Sequence, residues 1–211
     1  SGKSSARIGN GKQVRSQQIG AMEKLKTNLH YPVCRLTAWT GNNAERFREL
    51  YPYFQFIGEK MREFVPERYS AQINFVKQTE PEWVIPNTPF TTVTVNNTYP
   101  TGVHVDKGDL GEGFSCLTVL RSGDYFGGIF HLAEHKIGVD LQDRDLILMD
   151  AHEWHGNTEL TPLSKSAERI SVVLYYRTKM AECGTATEEE KALIRAWDER
   201  LGFNGETNGR R

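Results

Sequence analysis

Three short stretches of this chain combine residue types that could do metal chemistry: His104-Val105-Asp106, a lone His155 about fifty residues on, and Arg169-Ile170-Ser171. Two imidazoles and one carboxylate on one face of an iron leave three coordination positions open, which is the ligand set of a non-haem Fe(II) oxygenase. His and Asp at i and i+2 point to the same side of a strand, so one segment can supply two ligands while a distant strand supplies the third. Arg169 adds what a metal cannot. Its guanidinium fork binds a carboxylate bidentately, and Ser171, on the same strand face, can add a hydroxyl donor. Together they suit 2-oxoglutarate: its keto acid end chelates the iron, and its far carboxylate sits on Arg169 and Ser171. An isolated H-x-D triplet has a blander reading, a satisfied core histidine beside a solvated aspartate. The distal His and the R-x-S that opens a strand at the right interval are what favour the iron site.

The other histidines compete poorly. His152 precedes His155 by three, a spacing that on a strand sends the two to opposite faces, so it is expected on the surface or behind the ligands. His131 and His135 lie four apart, the spacing of a helical ligand pair, but they flank a strand-to-turn segment. Asp150 and Asn157 bracket His155 and are placed to orient it. Glu153 lacks a partner that would make it a general base.

These residues must be carried by a scaffold, and the pattern from Ser70 onward is one of short β-rich runs: 71–76, 90–96, 102–104, 114–120, 128–132, 137–141, 145–149 and 169–177. Strands of this length separated by Gly, Asp and Asn turns indicate an antiparallel jelly roll, mainly β with flanking helices. A double-stranded β-helix of cupin type fits, because it holds a metal at the open mouth of its barrel. Ahead of it a strand is expected over 31–40, then a helix from Ala44 capped by Asn42 or Asn43. Pro52 interrupts that helix, and a second segment follows whose Phe54, Ile57, Met61 and Phe64 recur at helical spacing up to Pro66. Thr187-Glu188-Glu189-Glu190 reads as a capping box opening a helix to about Leu201, with Gly202 as its stop.

Composition adds limits. The 211 residues, 38% of them hydrophobic, suit one domain over 21–211, preceded by a mobile basic arm over 1–20. The leading Ser1-Gly2 reads as a cloning remnant. No apolar run approaches a membrane span and no signal-peptide pattern opens the chain, so a cytoplasmic protein without a membrane or obligate protein partner is expected. Cys34, Cys116 and Cys183 match no zinc or disulfide spacing and read as buried thiols of a reducing compartment. A net charge of -1 argues against non-specific phosphate attraction as a way of life. Yet Lys3, Arg7, Lys12, Arg15, Lys24 and Lys26 face only Glu23, and this arm either touches nucleic acid or is a solvated tail.

With these residues in place, the chain resembles the TET/JBP family of 2-oxoglutarate and Fe(II) oxygenases that hydroxylate the 5-methyl group of pyrimidines in DNA, and most of all its small bacteriophage-type members. The similarity runs from Tyr31 to Arg177 in the blocks YPVCRLTAWT, NTPFTTVTVNN, HVDKGDLGEGFSCLTVL, DYFGGIF, LILMDAHEWHGN and ERISVVLYYR. The H-x-D, distal His and R-x-S identify only the wider superfamily; the Asp-rich stretch after His104 and the D-x-H-E-W-H-G-N block point to this family. The resemblance implies that His104, Asp106 and His155 are catalytic metal ligands and that Arg169 binds the cosubstrate, with Asn97 a further cosubstrate candidate. It also implies O2 as oxidant, ascorbate as a stimulant, and DNA as partner, with the base flipped or single-stranded. 5-Methylcytosine is the expected substrate, giving 5-hydroxymethylcytosine; thymine, a protein side chain and a small metabolite are the alternatives. If phage-encoded, the protein would work in the host cytoplasm. Neither a cysteine-rich zinc region nor an inserted DNA-binding domain interrupts these blocks, so duplex recognition would fall to the core's own loops. Trp83, Tyr99, Tyr125, Phe126 and Trp154 are candidates for stacking on a base, each with core packing as the competing role.

Overall fold

The structure, a computed structural model, describes residues 3–7, 13–25 and 30–201. Along the chain run β1 (Lys3–Arg7), β2 (Gln13–Met22), β3 (Arg35–Leu36), α1 (Ala38–Asn42), α2 (Ala44–Glu49), α3 (Tyr51–Phe64), α4 (Pro66–Val76), β4 (Thr92–Asn97), β5 (Ser115–Ser122) and β6 (Tyr125–Gly127). They are followed by β7 (Phe130–Leu132), β8 (Ile137–Val139), β9 (Leu146–Met149), β10 (His155–Asn157), β11 (Leu160–Pro162), β12 (Glu168–Tyr175) and α5 (Ala186–Leu201). The major sheet has the order β1-β2-β4-β12-β5-β9 with β3 beside β2; β10-β7-β8 form a minor sheet, and β11 pairs with β6. Every pairing is antiparallel. This is the jelly-roll class expected from the strand lengths.

Strand alternation divides the major sheet into two working faces. The rows Gln17-Val95-Val172-Thr118 and Ile19-Val93-Leu174-Cys116 are in register across β2, β4, β12 and β5. Ile19, Val93, Leu174 and Cys116 pack with Phe54, Ile57 and Met61 of α3, all at most 4% exposed. Each such apolar side chain contributes on the order of 1.5–3 kcal/mol when buried. The opposite rows, Ser16-Asn96-Ser171-Val119 and Gln18-Thr94-Val173-Leu117, face the other way, and all of these residues but Val119 line a cavity. The minor sheet is held against this side by a second cluster in which Leu117, Val119 and Met149 meet Phe130 and Leu141.

Several sequence expectations are corrected here. Residues 13–20, expected to be part of a mobile arm over 1–20, belong to β2, a central strand hydrogen-bonded on both sides, and Lys3–Arg7 is the strand beyond it. Polar, nearly aperiodic β2 carries no hydrophobic alternation that would announce it, since one of its faces lines a polar cavity. Lys12, Lys26 and the side chains of Lys3 and Arg7 lie outside the described residues. The span 71–76, expected as a strand, is the end of α4, whose first turn takes Pro66 without loss because that N–H would be unpaired anyway. The expected strand over 31–40 reduces to Arg35–Leu36, after which Thr37 caps α1. Phe64, counted with the buried stripe, is 63% exposed. The capping box of α5 lies two residues earlier than expected: Thr185 Oγ1 accepts from the N–H of Glu188, whose carboxylate accepts from the N–H of Thr185. Gly202 lies outside the described residues. Finally, Cys34 and Cys183 are joined in a disulfide across 149 residues, and Cys116 alone is a buried thiol. Spacing could not show that pairing, because Cys34 and Cys183 meet only in a packed cluster with Ala21, Trp83, Tyr176 and Met180, residues scattered along the chain.

Candidate active site

The two histidines arrive at one point because β10 and the segment before the Asp-rich loop form an antiparallel bridge. His104 N–H donates to His155 O at 2.9 Å and His155 N–H to His104 O at 3.0 Å. Asp106 N–H donates to Ala151 O at 2.9 Å, which ties the loop to the turn between β9 and β10 that leads into His155. The imidazoles consequently face each other with centroids 4.4 Å apart, and Asp106 lies between their Nε2 atoms, at 3.5 Å from His104 and 3.6 Å from His155. No other group of three potential metal ligands among the described residues lies so close, except Cys34, Cys183 and Glu189, where the two sulfurs are already bonded to each other.

The hydrogen bonds on the far side of each ring show what belongs in the middle. His104 Nδ1 lies 2.9 Å from Gly102 O and His155 Nδ1 lies 2.8 Å from Glu153 O. A carbonyl only accepts, so each Nδ1 carries the hydrogen, and in the neutral imidazole the Nε2 lone pair faces Asp106. Two nitrogen lone pairs and an anionic oxygen then converge at separations too long for direct hydrogen bonds. A cation between them satisfies all three, with the backbone carbonyls fixing the tautomer. The residues fit a first-row metal ion. The charges are matched accordingly: the neighbouring Asp106 raises the His104 pKa, and against burial, which raises it, His104 and His155 hold the Asp106 carboxyl well below the usual carboxylate range. Asp150, expected to orient His155, instead pairs with His152 at the surface, 3.0 Å apart. Asn157 is turned toward Thr101, whose N–H it accepts at 3.1 Å.

The triad opens on a cavity of about 420 Å³. At one end are Arg169 and Ser171, 6% and 4% exposed, from the start of β12. The Arg169 guanidinium makes no hydrogen bond or ion pair with any described residue, and burial lowers its pKa. A buried guanidinium of this kind is an anion site. Asn97 does not reach it. It stands in the row of Ile170, on the helix side of the sheet, where its amide donates to Glu168 at 2.7 Å. Period-two alternation puts its neighbour Asn96 in the cavity instead, between Ser16 and Ser171. A one-residue choice of this kind cannot be made until strand register is known.

At the other end the wall is made by Asp109, Tyr175 and Arg177. Asp109 is 5% exposed; burial, and the charge of Asp106, push its pKa up to about 8 against the opposing Ser115 hydroxyl and Arg177. Arg177 is held by both oxygens of Glu23, a residue that stands out in the sequence only as the one acidic group near the basic arm. Gln18 Nε2 and Thr94 Oγ1 both contact Tyr175 Oη, at 3.0 and 2.9 Å. None of Ser16, Gln18, Asp109, Tyr175 or Arg177 could be singled out beforehand; Asp109 had a signal, the acidic stretch after His104. Of the aromatic candidates, Tyr99 lines the cavity, Trp83 is a core residue at 6% exposure, and Phe126 and Trp154 are exposed.

The family profile Tet_JBP, described as the oxygenase domain of the 2OGFeDO superfamily, matches residues 26–178. Thymine dioxygenase JBP1 of Leishmania braziliensis is 34% identical over 163 residues, 75% of this chain and 19% of that protein. Thymine dioxygenase JBP1 of Trypanosoma brucei brucei is 32% identical over 177 residues, 81% of this chain and 20% of that protein. The chain thus spans about a fifth of the length of these relatives. Among solved structures, NgTET1 in complex with 5mC DNA superposes with a TM-score of 0.62 at 15% identity, covering 85% of this chain and 69% of that one.

Proposed function

The chain belongs to the Tet_JBP family of oxygenase domains, and from that premise we propose that it is an Fe(II)- and 2-oxoglutarate-dependent dioxygenase that hydroxylates the 5-methyl group of a pyrimidine in DNA. The observation that carries this is the pairing, in one cavity, of a metal-shaped His104-Asp106-His155 cluster with the buried, unpaired guanidinium of Arg169. When bound, iron supplies oxygen activation coupled to decarboxylation of 2-oxoglutarate to succinate. The protein supplies position. His104, Asp106 and His155 hold the ion, Arg169 and Ser171 hold the far carboxylate, and Leu117, Val173 and Met149 line the space between with apolar atoms. Past the metal, the end bounded by Asp109, Tyr175 and Arg177 offers donors, acceptors and an aromatic ring to a base taken out of its stack. A single-stranded base, or one flipped from a duplex at a cost of roughly a few kcal/mol, can enter there. Ascorbate would stimulate by keeping iron ferrous.

5-Methylcytosine is the substrate of the leading reading, with 5-hydroxymethylcytosine as product. Thymine is the second, and the names of the curated relatives favour it. Both are tested by digesting DNA incubated with enzyme, Fe(II), 2-oxoglutarate and ascorbate and weighing its nucleosides. The expected product is 5-hydroxymethylcytosine from methylated DNA, or 5-hydroxymethyluracil from any thymine-containing DNA. Absence of both, with succinate release unaffected by DNA, would overturn the DNA reading and leave a protein or metabolite substrate.

A further inference from the structure

We propose that Cys34, Cys183 and Glu189 form a second metal site when the disulfide is reduced, one that takes a divalent ion of the zinc class; the inference stands apart from the oxygenase reading above. Cys34 Sγ, Cys183 Sγ and a Glu189 carboxylate oxygen all lie within 4.8 Å of one another. Cys34 precedes β3, Cys183 ends the short helical turn Thr178–Glu182, and Glu189 sits near the start of α5. Cys183 and Glu189 lie beyond residue 178, where the family match ends. Two thiolates and one carboxylate form a donor set that favours zinc over harder ions, because sulfur is a soft ligand.

Zinc holds thiolate sulfur at about 2.3 Å and carboxylate oxygen at about 2.0–2.2 Å in a tetrahedron, which spaces its donors roughly 3.5–4 Å apart. With Cα atoms 5.8 Å apart, the cysteines reach that spacing by side-chain rotation once the bond between them opens. Glu189 is already oriented. Its Oε2 accepts from the N–H of Cys34 and its Oε1 from the N–H of Gly184, each at 2.9 Å, so the backbone of both cysteine segments fixes the carboxylate. Hydrogen bonds of this kind position the ligands of metal sites. Gly184 is held in turn by Trp83, whose Nε1 donates to its carbonyl at 2.8 Å. The fourth position opens on a cavity of about 70 Å³ lined by Lys24, Cys34, Lys179, Glu182 and Glu189, which has room for a water on the ion. Two thiolates and a carboxylate around a divalent ion leave one net negative charge, and Lys24 and Lys179 on that wall offset it.

The oxidised and metal-bound forms exclude each other, because sulfur binds the ion as thiolate and a disulfide has none. Conversion takes two electrons. A dithiol supplies them by exchange: its two sulfurs leave joined to each other, its two protons pass to Cys34 and Cys183 Sγ, and the entering ion displaces those protons to solvent. Both forms tie the start of α5 to the segment before β3, so the ion keeps under reducing conditions the link that the disulfide makes under oxidising ones. That link bears on the larger cavity. Cys34 and Cys183 pack with Leu110 and Tyr176, the chain neighbours of Asp109, Tyr175 and Arg177 in its wall.

The test uses the full chain, reduced anaerobically by a phosphine, which brings no thiol of its own, and titrated with Co(II) in place of zinc. Thiolate ligands give Co(II) an intense near-ultraviolet charge-transfer absorption that imidazole and carboxylate ligands do not, so the triad of His104, Asp106 and His155 is silent in this readout. Reduced wild type should show the absorption, oxidised wild type should not, and Zn(II) should abolish it. His104→Ala should keep it. Cys34→Ser and Cys183→Ser should each lose half of it or more, since each removes one of the two sulfurs, and Glu189→Gln should weaken the metal about tenfold or more. No absorption in reduced wild type, a smaller loss in either cysteine variant, or a smaller effect of Glu189→Gln would overturn the site and leave the pair a disulfide only. The oxidised-against-reduced comparison needs wild type alone and decides the matter should a variant fail to fold.

Discussion

Deleting residues 1–22 should unfold this protein rather than trim a tail. β2 runs beside β4 over six paired residues, Arg15–Gly20, and buries Val14, Ile19, Ala21 and Met22 at 0%, 4%, 1% and 7% exposure. At about 1.5–3 kcal/mol for each large side chain, Val14, Ile19 and Met22 together contribute roughly 5–9 kcal/mol. That is an upper figure, since an unfolded chain already hides some apolar surface. It is still comparable to the whole stability of a typical domain, about 5–15 kcal/mol. Removal would also open the β4 edge and take Ser16 and Gln18 from the cavity wall. A gentler version separates packing from pocket. Ile19→Ala, on the helix face, should cost about 2–4 kcal/mol and lower the melting temperature by about 5–15 °C. Gln18→Ala, on the cavity face, should change melting little while altering turnover, because its amide bonds Tyr175 Oη. Thermal denaturation followed by circular dichroism, beside succinate release, reads both. A protein lacking residues 1–22 that melts and turns over like wild type would refute the reasoning.

Other consequences follow from the site. Asp106→Ala should abolish Fe(II) binding and turnover and, in chelator at neutral pH, lower the melting temperature, since it removes a carboxylate that His104 and His155 hold in its charged form; iron-dependent product from this variant would refute the ligand assignment. Arg169→Ala should weaken 2-oxoglutarate a hundredfold or more, with Lys restoring only part, because an ammonium lacks the fork; equal affinity in wild type and Ala would place the anchor elsewhere. Asp109, with its pKa raised from 3.8 to about 8, holds a proton in the folded state that the unfolded chain has released. Its contribution to stability is full below pH 3.8 and is lost as pH rises to about 8. In chelator, wild type should therefore lose up to a few kcal/mol relative to Asp109→Asn between pH 5 and 8.5, a slope that urea midpoints would show and whose absence would mean Asp109 stays ionised throughout.

How much was legible beforehand depended on whether the signal was local. The His104-Asp106-His155 cluster was readable because H-x-D in an extended segment keeps its two side chains on one side and because His and Asp have few reasons to recur beside an R-x-S strand. The β-rich second half was readable because alternation and turn residues lie within a few positions of each other. α3 was readable because Phe54, Ile57 and Met61 repeat at helical spacing and do face the core. What required the tertiary structure was whatever depends on partners far along the chain. β2 looked like a tail because its cavity face is polar, and only its pairing with β4 makes it a strand. Asn97 and Asn96 differ by one residue, and the register of β4 against β12 decides which enters the cavity. Cys34 and Cys183 look unpaired until distant segments pack into the cluster that holds them both. The buried state of Arg169, with no acceptor for its guanidinium among the described residues, exists only once the sheet has closed around it, because burial and hydrogen bonding belong to the packed molecule and not to any segment of it.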